Sequence, residues 1–293
     1  MTRASGSATL ARAMGSYDLH THSTCSDGTQ SVADNVRLAL ELGLSGLGVT
    51  DHDTTAGIGE AFAAAESTAL EIVPGLEFSA EHDGASLHVL AYRMDPSNGP
   101  LRAELERLAE TRLRRGEMMI RKLRDAGYDI SFDRVRRIAG GDLIARPHIA
   151  QAMVEAGIVG SEREAFDRFI NDGGPAYVPK HALDPLVALD LIAEAGGVSV
   201  LAHPGMWRGT ESVPVELIER MAAAGMAGLE VDHPDHDDTM RARYRDLAIR
   251  LDLIPTGASD CHGARYGFRL GSETTDAGRV AALRARRPAA RPA

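Results

Sequence analysis

Short apolar runs alternate with longer stretches of helical periodicity along most of this chain. Residues 46–50, 198–202 and 254–258 are apolar runs with the length of a buried strand. Residues 31–43 and 237–251 instead repeat apolar residues at three- and four-residue spacing, as a helix with one buried face does. A strand followed by a helix, repeated, is the order found in parallel β/α units. The pattern therefore predicts an α/β protein, with a β-hairpin over residues 71–92.

The pattern changes after a turn signal at residues 95–100. Leu101, Leu105 and Leu108 begin a long helical periodicity, and further helices are predicted over residues 132–139, 147–156 and 161–170. Residues 101–146 contain 12 Lys and Arg against 8 Asp and Glu, an excess of +4 in a chain whose net charge is −10. Such a basic stretch is either a solvated surface or the inner face of a lid that neutralises substrate phosphate.

These patterns predict a barrel in two parts with a helical insertion. The predicted boundaries are 17–97 for the first part of the barrel, 98–181 for the insertion and 182–275 for the second part, with flexible ends at 1–16 and 276–293. The 293 residues, 44% of them hydrophobic, are enough for a fold of this size.

Composition also limits the class of protein. No apolar run reaches the roughly 18 residues of a membrane span, and residues 1–16 lack the apolar stretch of a secretory signal, so we expect a cytoplasmic protein without a membrane partner. The acidic net charge argues against stable binding of duplex nucleic acid. Cys25 and Cys261 are the two cysteines, too few for a disulfide scaffold. We interpret them as small residues in tight turns, with thiolate ligation or a redox pair as the alternative.

Metal-binding residue types follow the first predicted strand. His20 and His22 are two residues apart, so both imidazoles lie on one face of an extended strand. A turn rich in Ser, Thr and Gly then brings Asp27 back toward them. One His-x-His sequence is weak evidence, because many are ordinary strand residues. Here, however, His, Asp or Glu also follows the other predicted strands, at His22, His52, Glu77, His203, His233 and Asp260.

The carboxyl ends of barrel strands are where active sites form, because the loops there vary without disturbing the barrel. The candidate metal ligands are nine: His20, His22, Asp27, His52, Glu77, His88, His203, Asp260 and His262. One zinc ion takes about four ligands, so two or three divalent ions are implied, with Mn, Fe and Zn all suited to such a mixed set. Metals about 3.5–4 Å apart can share a hydroxide nucleophile and orient phosphate oxygens, which is the chemistry of phosphoester hydrolysis.

These motifs resemble the four-part signature of the polymerase and histidinol phosphatase (PHP) family. The resemblance covers about residues 17–275 and is carried by Asp18-Leu19-His20-Thr21-His22, Thr50-Asp51-His52, Glu77, His88, Ala202-His203-Pro204 and Ser259-Asp260-Cys261-His262. It implies a distorted (β/α)7 barrel and a trinuclear metal site formed by the nine residues, with Glu77 bridging ions and manganese as the preferred metal.

The insertion resembles that of the subgroup that dephosphorylates nucleoside 3',5'-bisphosphates, some members of which trim short RNA from its 5' end. By this resemblance Arg146 and Lys180 would hold the phosphate that stays on the nucleotide, and His148 would lie near the substrate. From the residues alone, Arg146 is equally a helix-start residue and His148 a surface histidine. His233 and His236 resemble a family segment without an assigned role. Arg265 departs from the pattern, because Asn or Lys is expected there.

The resulting hypothesis is a metal-dependent phosphatase that converts nucleoside 3',5'-bisphosphates to 5'-monophosphates, with a metal-bound hydroxide as the nucleophile and a nucleotide or short oligonucleotide as the substrate. The first alternative is a histidinol phosphatase, for which this insertion is not needed. The second is a metal-binding scaffold without catalysis. The sequence leaves the oligomeric state open.

Overall fold

Eight strands form one curved sheet in the part of the chain that the computed structural model describes, residues 15–141, 143–179, 182–206 and 212–286. The strands are β1 (Ser16–Asp18), β2 (Gly46–Val49), β3 (Glu71–His82), β4 (Ala85–Tyr92), β5 (Val198–Leu201), β6 (Gly228–Asp232), β7 (Ile254–Gly257) and β8 (Thr275–Asp276). Their spatial order is β7-β6-β5-β4-β3-β2-β1-β8. β1, β2 and β3 are parallel neighbours, as are β5, β6 and β7, while β4 lies antiparallel between β3 and β5.

The two ends of the sheet meet, so the sheet is nearly closed. β8 pairs antiparallel with β1, and the Thr275 hydroxyl donates to the Gly257 carbonyl oxygen of β7 at 2.8 Å. Beyond the ends of β1 and β7, the backbone N–H of His22 donates to the Cys261 carbonyl oxygen at 2.9 Å. The expected α/β barrel is therefore confirmed, and the two-residue strand β8 adds to the seven strands that were expected.

Helices pack around the barrel after most strands. They are α1 (Val32–Glu41), α2 (Ile58–Ala65), α7 (Pro185–Glu194), α8 (Val215–Ala223) and α9 (Asp238–Arg250), with α3 to α6 forming the insertion. Side-chain caps fix several starts, as at Ser31, whose hydroxyl accepts from the Asp34 N–H at 3.1 Å. α1 ends before Gly43, whose φ of +70° suits a residue without a Cβ. These caps and turns thus define where the helices around the barrel begin and end.

The insertion contains α3 (Gly99–Asp125), α4 (Phe132–Ala139), α5 (Arg146–Glu155) and α6 (Glu162–Ala165), which continues into a π-helical turn over Phe166–Ile170. Its buried residues, among them Met119, Val135 and Met153, form an apolar cluster of their own, separate from the clusters of the barrel. The boundaries 17–97, 98–181 and 182–275 stay a prediction.

The C-terminal segment differs from the expectation of a flexible tail after residue 275. Residues Ala277–Ala285 form helix α10, whose N-terminus is capped by the Asp276 carboxylate accepting from the Arg279 N–H at 3.0 Å. Val280 and Leu283 are buried against the barrel. This part of the predicted tail is therefore ordered structure, because an apolar face at three-residue spacing packs on the sheet. Residues 1–14 and 287–293 lie outside the described residues. No helix of the described part is both long and apolar enough to cross a membrane.

Candidate metal centre

The strand ends bring all nine predicted ligands to one mouth of the barrel. β1 leads into His20 and His22, β2 into His52 and β5 into His203, whereas Glu77 and His88 lie on the β3–β4 hairpin itself. Four overlapping sets have their ligand atoms within 4.8 Å of one another: His22, Asp27, His52 and His262; His20, Glu77 and His203; His20, His22 and Asp260; and His52, Glu77 and His88. The structure therefore contains a cluster of His, Asp and Glu side chains able to bind metal ions.

Glu77 lies at the centre of this cluster. Its Oε2 is 3.3 Å from His20 Nε2, 3.2 Å from His22 Nε2 and 2.9 Å from His52 Nδ1. Its Oε1 is 3.0 Å from His88 Nδ1 and 3.1 Å from His203 Nε2. The two oxygens thus face different groups of imidazoles, which is the arrangement of a carboxylate that bridges ions.

Two further carboxylates complete the cluster. Asp260 Oδ1 is 3.3 Å from His20 Nε2 and 3.1 Å from His22 Nε2. Asp27 Oδ1 is 3.4 Å from His262 Nε2 and 4.0 Å from both His22 Nδ1 and His52 Nε2. Ligands about 2.0–2.2 Å from one ion lie about 3.0–3.5 Å from one another, so the spacings of Asp260 and the Asp27–His262 spacing suit ligands that share an ion, while the two 4.0 Å separations are longer.

The hydrogen bonding of these atoms tests whether they fit metal ions. Several buried atoms make no hydrogen bond to any residue that the structure describes: His20 Nε2, His22 Nδ1 and Nε2, Asp27 Oδ1, His52 Nδ1, Glu77 Oε2 and Asp260 Oδ1. Native structures rarely leave buried polar atoms without a partner, because the loss costs about 1–3 kcal/mol each. Divalent cations would satisfy them together, and the mixed imidazole and carboxylate set suits Mn, Fe or Zn.

The pKa values of the cluster also favour the binding of metal ions. Burial alone would raise the pKa of Glu77, but the charges of His52, His88 and His20 hold it well below its ordinary value. Burial would lower the pKa of His22, yet the carboxylates of Asp260 and Glu77 raise it to about 10. The carboxylates therefore stay ionised and attract positive charge to the centre of the cluster.

Glu230, on β6, is a site residue that the sequence interpretation missed. Its side chain is fully buried, its Oε1 is 3.1 Å from His20 Nδ1, and its Oε2 accepts from the His203 N–H at 2.7 Å. With the proton of His20 on Nδ1, the lone pair of Nε2 faces Glu77 and Asp260. Glu230 lies within the apolar run Leu229-Glu230-Val231, and a carboxylate inside a buried strand was the signal for such a partner.

Asp18 and Asp51 hold the loops that carry the ligands. The Asp18 carboxylate accepts from the backbone N–H groups of Ser259 and Gly271 at 3.0 and 2.8 Å, and burial raises its pKa to about 6. Asp51 accepts from the Ser23 N–H at 2.8 Å and from the Ser26 hydroxyl at 2.6 Å, which shapes the turn leading to Asp27. These two carboxylates are not candidate ligands, but they hold the loops that carry the ligands in position.

Two candidate ligands have unusual backbone angles. His203 has a φ of +24° and Asp260 a φ of +48°, in the left-handed region that L-residues with side chains seldom adopt. Such residues cost about 1–3 kcal/mol and persist where the surroundings hold them. At His203 the N–H bond to Glu230 supplies this restraint, so the strain is maintained by the same carboxylate that orients His20.

A cavity of about 520 Å³ opens above the cluster, between the barrel and the insertion. On the insertion side it is lined by three arginines, Arg112, Arg115 and Arg146, and by Phe166. Burial, together with the neighbouring charges of Arg146 and Arg112, lowers the pKa of Arg115 to about 10. The cavity thus has candidate metal ligands on one wall and a concentration of positive charge on the other, which suits an anionic substrate.

The three arginines differ in their partners. Arg112 is buried, and its Nε and Nη2 both donate to Oδ2 of Asp53, whose Oδ1 accepts from the Ser79 N–H at 2.7 Å. Arg115 Nε donates to the Val178 carbonyl oxygen at 2.7 Å. Arg146 pairs at 2.8 Å with Asp172, a residue whose side chain is 64% exposed.

The other predicted substrate residues have different positions. His148 is buried in the first turn of α5, where its Nδ1 accepts from the Ala145 N–H at 3.1 Å, and burial lowers its pKa to about 4. It is not a surface histidine, and its contact with substrate stays a prediction. Lys180 lies outside the described residues. The roles predicted for Arg146 and Lys180 also stay predictions.

His233 and His236 differ in their surroundings. His233 lines the cavity, its Nδ1 accepts from the Asp235 N–H at 3.1 Å, and its Nε2 lies 3.6 Å from Asp260 Oδ2. In the neutral ring the proton is therefore on Nε2, the nitrogen on the side of Asp260. His236 has both nitrogens engaged, Nδ1 with the Val231 carbonyl oxygen at 2.9 Å and Nε2 with the Gly205 N–H at 3.1 Å, so it stabilises the fold.

Neither cysteine belongs to the potential metal-ligand groups that the described residues form. Cys261 is fully buried in an apolar cluster, and the partly buried Cys25 packs against that cluster. Both positions agree with the interpretation as small residues in tight turns.

Comparison with known proteins gives consistent matches. Residues 18–130 match the family model described as the PHP domain. The chain is 32% identical over 264 residues to a 3',5'-nucleoside bisphosphate phosphatase from Chromobacterium violaceum, which covers 90% of this chain and 93% of that one. It is 32% identical over 246 residues to a 5'-3' exoribonuclease from Haemophilus influenzae, covering 84% of this chain and 89% of that one. A crystal structure from Bifidobacterium adolescentis, described as that of a metal-dependent phosphoesterase, superposes with a TM-score of 0.86 at 34% identity and covers 92% of this chain and 96% of that one.

Proposed function

Because the chain belongs to the PHP family and is a metal-dependent phosphoesterase, we propose that it removes the 3'-phosphate from nucleoside 3',5'-bisphosphates and releases the 5'-monophosphate. The observation that carries this proposal is the cavity with metal-ligand side chains on one wall and arginines on the other. A substrate with a phosphate at each end of a ribose matches both walls. The relatives named as a bisphosphate phosphatase and an exoribonuclease support the choice of a nucleotide.

In this proposal the nine clustered residues hold two or three divalent ions, with Glu77 shared between them. When bound, such ions supply Lewis-acid activation of water and of phosphoryl oxygens, and manganese is the metal that we expect. Glu230 keeps the His20 proton on Nδ1 and holds the backbone of His203, so both imidazoles present Nε2 to the centre.

The remaining residues of the cavity bind and orient the substrate. Arg146 holds the phosphate that stays on the nucleotide, and Arg115 adds positive charge beside it. The Lys180 side chain is predicted to assist there. His233 lines the cavity, and in this proposal its Nε2 proton donates a hydrogen bond to the departing 3'-oxygen or to a phosphoryl oxygen. The Asp235 N–H keeps that ring in the donating tautomer.

A second activity, trimming of short 5'-phosphorylated RNA, is favoured by an adjoining cavity of about 640 Å³. It is lined by the tip of the β3–β4 hairpin and shares His88, Arg146, His203 and Met206 with the first cavity. We propose that the nucleotide following the cleaved bond extends into it. The alternative of a histidinol phosphatase is less compatible with the arginines, because the ammonium group of histidinol would face like charges.

A phosphate-release screen tests the proposal. The purified enzyme with added Mn²⁺ is assayed with adenosine 3',5'-bisphosphate, adenosine 3'-monophosphate, histidinol phosphate and short 5'-phosphorylated RNAs. We expect the highest kcat/KM with the bisphosphate and a KM about 10–100 times higher for it in Arg146→Ala, since a charge-assisted phosphate contact is worth about 1.5–3 kcal/mol. Faster turnover of histidinol phosphate would overturn the substrate assignment. Less than one ion per chain after reconstitution would instead favour the scaffold without catalysis.

A further inference from the structure

A buried arginine outside the metal-ligand cluster connects the two walls of the main cavity. Arg265 lies in the turn after β7, three residues beyond His262, and its side chain is 3% exposed. Its Nε donates to the Asp27 carbonyl oxygen at 3.2 Å. Its Nη1 forms an ion pair with Glu162 at the start of α6, a residue of the insertion. One guanidinium therefore contacts both the loop of a candidate ligand and the insertion.

The barrel side of this contact is firmly held. The Thr29 N–H donates to the His262 carbonyl oxygen at 3.1 Å, and the Ala264 N–H donates to the Thr29 hydroxyl at 2.8 Å. Gly263 has a φ of +70°, and a Cβ there would lie 2.3 Å from the Thr29 hydroxyl oxygen. The two loops are thus packed too closely for a side chain at Gly263. The turn that carries Arg265 is therefore held in place against the loop of Thr29.

On the insertion side, the ion pair is close to a residue that lines the cavity. Glu162 is one helical turn before Phe166, which lines the cavity. The ion pair of Arg112 with Asp53 connects the insertion to the barrel beside His52. The pair of Arg265 with Glu162 makes a corresponding connection beside His262. Two connections at separate points fix both the distance and the tilt of the insertion relative to the metal-ligand cluster.

We propose that the Arg265–Glu162 pair sets the spacing between the metal centre and the phosphate-binding arginines, Arg115 and Arg146, and so selects substrates with a phosphate at each end. Arg265 is a positioning residue in this inference, which rests on the proposed function. A substrate with one phosphate needs only the metal centre and is insensitive to this spacing. A bisphosphate spans both walls and binds well only when their separation is correct.

The test compares Glu162→Gln with Glu164→Gln. Glu164 lies on the same short helix and pairs with Arg168, and its side chain is 37% exposed against 35% for Glu162, so it is a matched control. KM and kcat are measured with adenosine 3',5'-bisphosphate and adenosine 3'-monophosphate. Glu162→Gln is expected to raise KM for the bisphosphate about fivefold to tenfold, as expected when a partly buried ion pair is lost. It should leave kcat/KM for the monophosphate unchanged, and Glu164→Gln should change neither.

Two further measurements separate the contacts of Arg265. Arg265→Gln loses the Glu162 pair and alters the contact with Asp27, so it should also weaken Mn²⁺ binding in calorimetry, whereas Glu162→Gln should not. Combining the two variants should raise KM for the bisphosphate no further than Arg265→Gln alone, because both remove one shared interaction. Hydrogen exchange in residues 163–170 should become faster in Glu162→Gln than in Glu164→Gln, whose own contacts are with Gly160 and Arg168.

The outcomes distinguish this inference from the proposed function. A wild-type enzyme without preference for the bisphosphate overturns both. A wild-type enzyme that prefers the bisphosphate while Glu162→Gln keeps that full preference overturns the positioning role alone. Equal losses with the two substrates would also overturn it, because they would mean a general loss of stability. Additive effects in the double variant would overturn it because they would mean that Arg265 and Glu162 act independently.

Discussion

Replacing Glu230 by glutamine is expected to weaken metal binding although Glu230 is not itself a candidate ligand. The carboxylate accepts at both oxygens, from His20 Nδ1 at 3.1 Å and from the His203 N–H at 2.7 Å. Glutamine has nearly the same volume, so the change creates no cavity. It has only one acceptor oxygen, however, and the other end of its amide is a donor.

The hydrogen-bond geometry indicates which contact is lost. The N–H of His203 is a fixed backbone donor and takes the amide oxygen. The amide NH₂ group then faces His20 Nδ1, which must accept and so transfers its proton to Nε2. That nitrogen lies 3.3 Å from both Glu77 Oε2 and Asp260 Oδ1, at the centre of the cluster, and a protonated nitrogen cannot bind a metal.

The magnitude follows from the cost of this tautomer change. Loss of a partner that orients a ligating histidine reduces metal affinity by about 10–100-fold, or roughly 1.4–2.7 kcal/mol. Isothermal titration calorimetry of chelator-treated protein with Mn²⁺ measures it. Glu219→Gln is the control, because Glu219 forms an exposed pair with Arg250 far from the cluster, and its affinity should equal that of the wild type. A Glu230→Gln protein that binds Mn²⁺ within twofold of the wild-type affinity would refute this reasoning.

Three other predictions concern single side chains. Glu77→Gln should reduce phosphate release at least ~1,000-fold, since the carboxylate between five imidazoles contributes several kcal/mol to metal chemistry. Glu71→Gln, an exposed change on the same strand, should have no such effect, and an active Glu77→Gln enzyme would contradict the assignment of Glu77 as a metal ligand. Burial lowers the pKa of His148 to about 4, so the neutral ring stabilises the fold above pH 6.5, and about 2–3 kcal/mol of stability is lost as the pH falls from 6.5 to 4.5. In urea unfolding at pH 7 and pH 4.5, the free energy of unfolding should decrease less for His148→Gln than for the wild type, and equal decreases would count against this prediction. Arg112→Met should lower the free energy of unfolding by about 3–5 kcal/mol, because it removes the guanidinium from buried Asp53. Arg114→Met, at an exposed pair, should lower it by less than about 1 kcal/mol, and equal urea midpoints for the two variants would contradict the prediction.

The candidate ligands were predictable because their signals are local. An apolar run followed by His, Asp or Glu marks a strand end, and His20 and His22 share a face by strand geometry alone. The barrel then brings strand ends together whatever the details of packing. The structure accordingly collects all nine residues at one mouth.

Contacts between distant segments were not predictable in this way. Arg265 and Glu162 are 103 residues apart, and Arg112 and Asp53 are 59 apart. Neither pair has a local pattern, since arginine in a charged helix is usually solvated. Such contacts depend on how the insertion packs on the barrel, which sequence periodicity does not determine. α10 was predicted only as part of a flexible end, for a different reason. Its Ala- and Arg-rich sequence suggested a frayed helix or a disordered tail, and the apolar pair Val280 and Leu283 was too short a signal to outweigh that.

The partners of the arginines decide which of them can bind substrate in a chain of net charge −10. Arg112 is held by a buried carboxylate, and exchanging that partner for a phosphate would deprive the buried Asp53 charge of its guanidinium, at a cost of several kcal/mol. Arg146 pairs instead with Asp172, which is 64% exposed, and an exposed pair is worth about 0–1 kcal/mol. The released Asp172 carboxylate would simply be hydrated, so a substrate phosphate can replace it almost without penalty. The structure thus gives a physical reason for expecting the exchangeable guanidinium, Arg146, to bind the retained phosphate while Arg112 fixes the insertion in position.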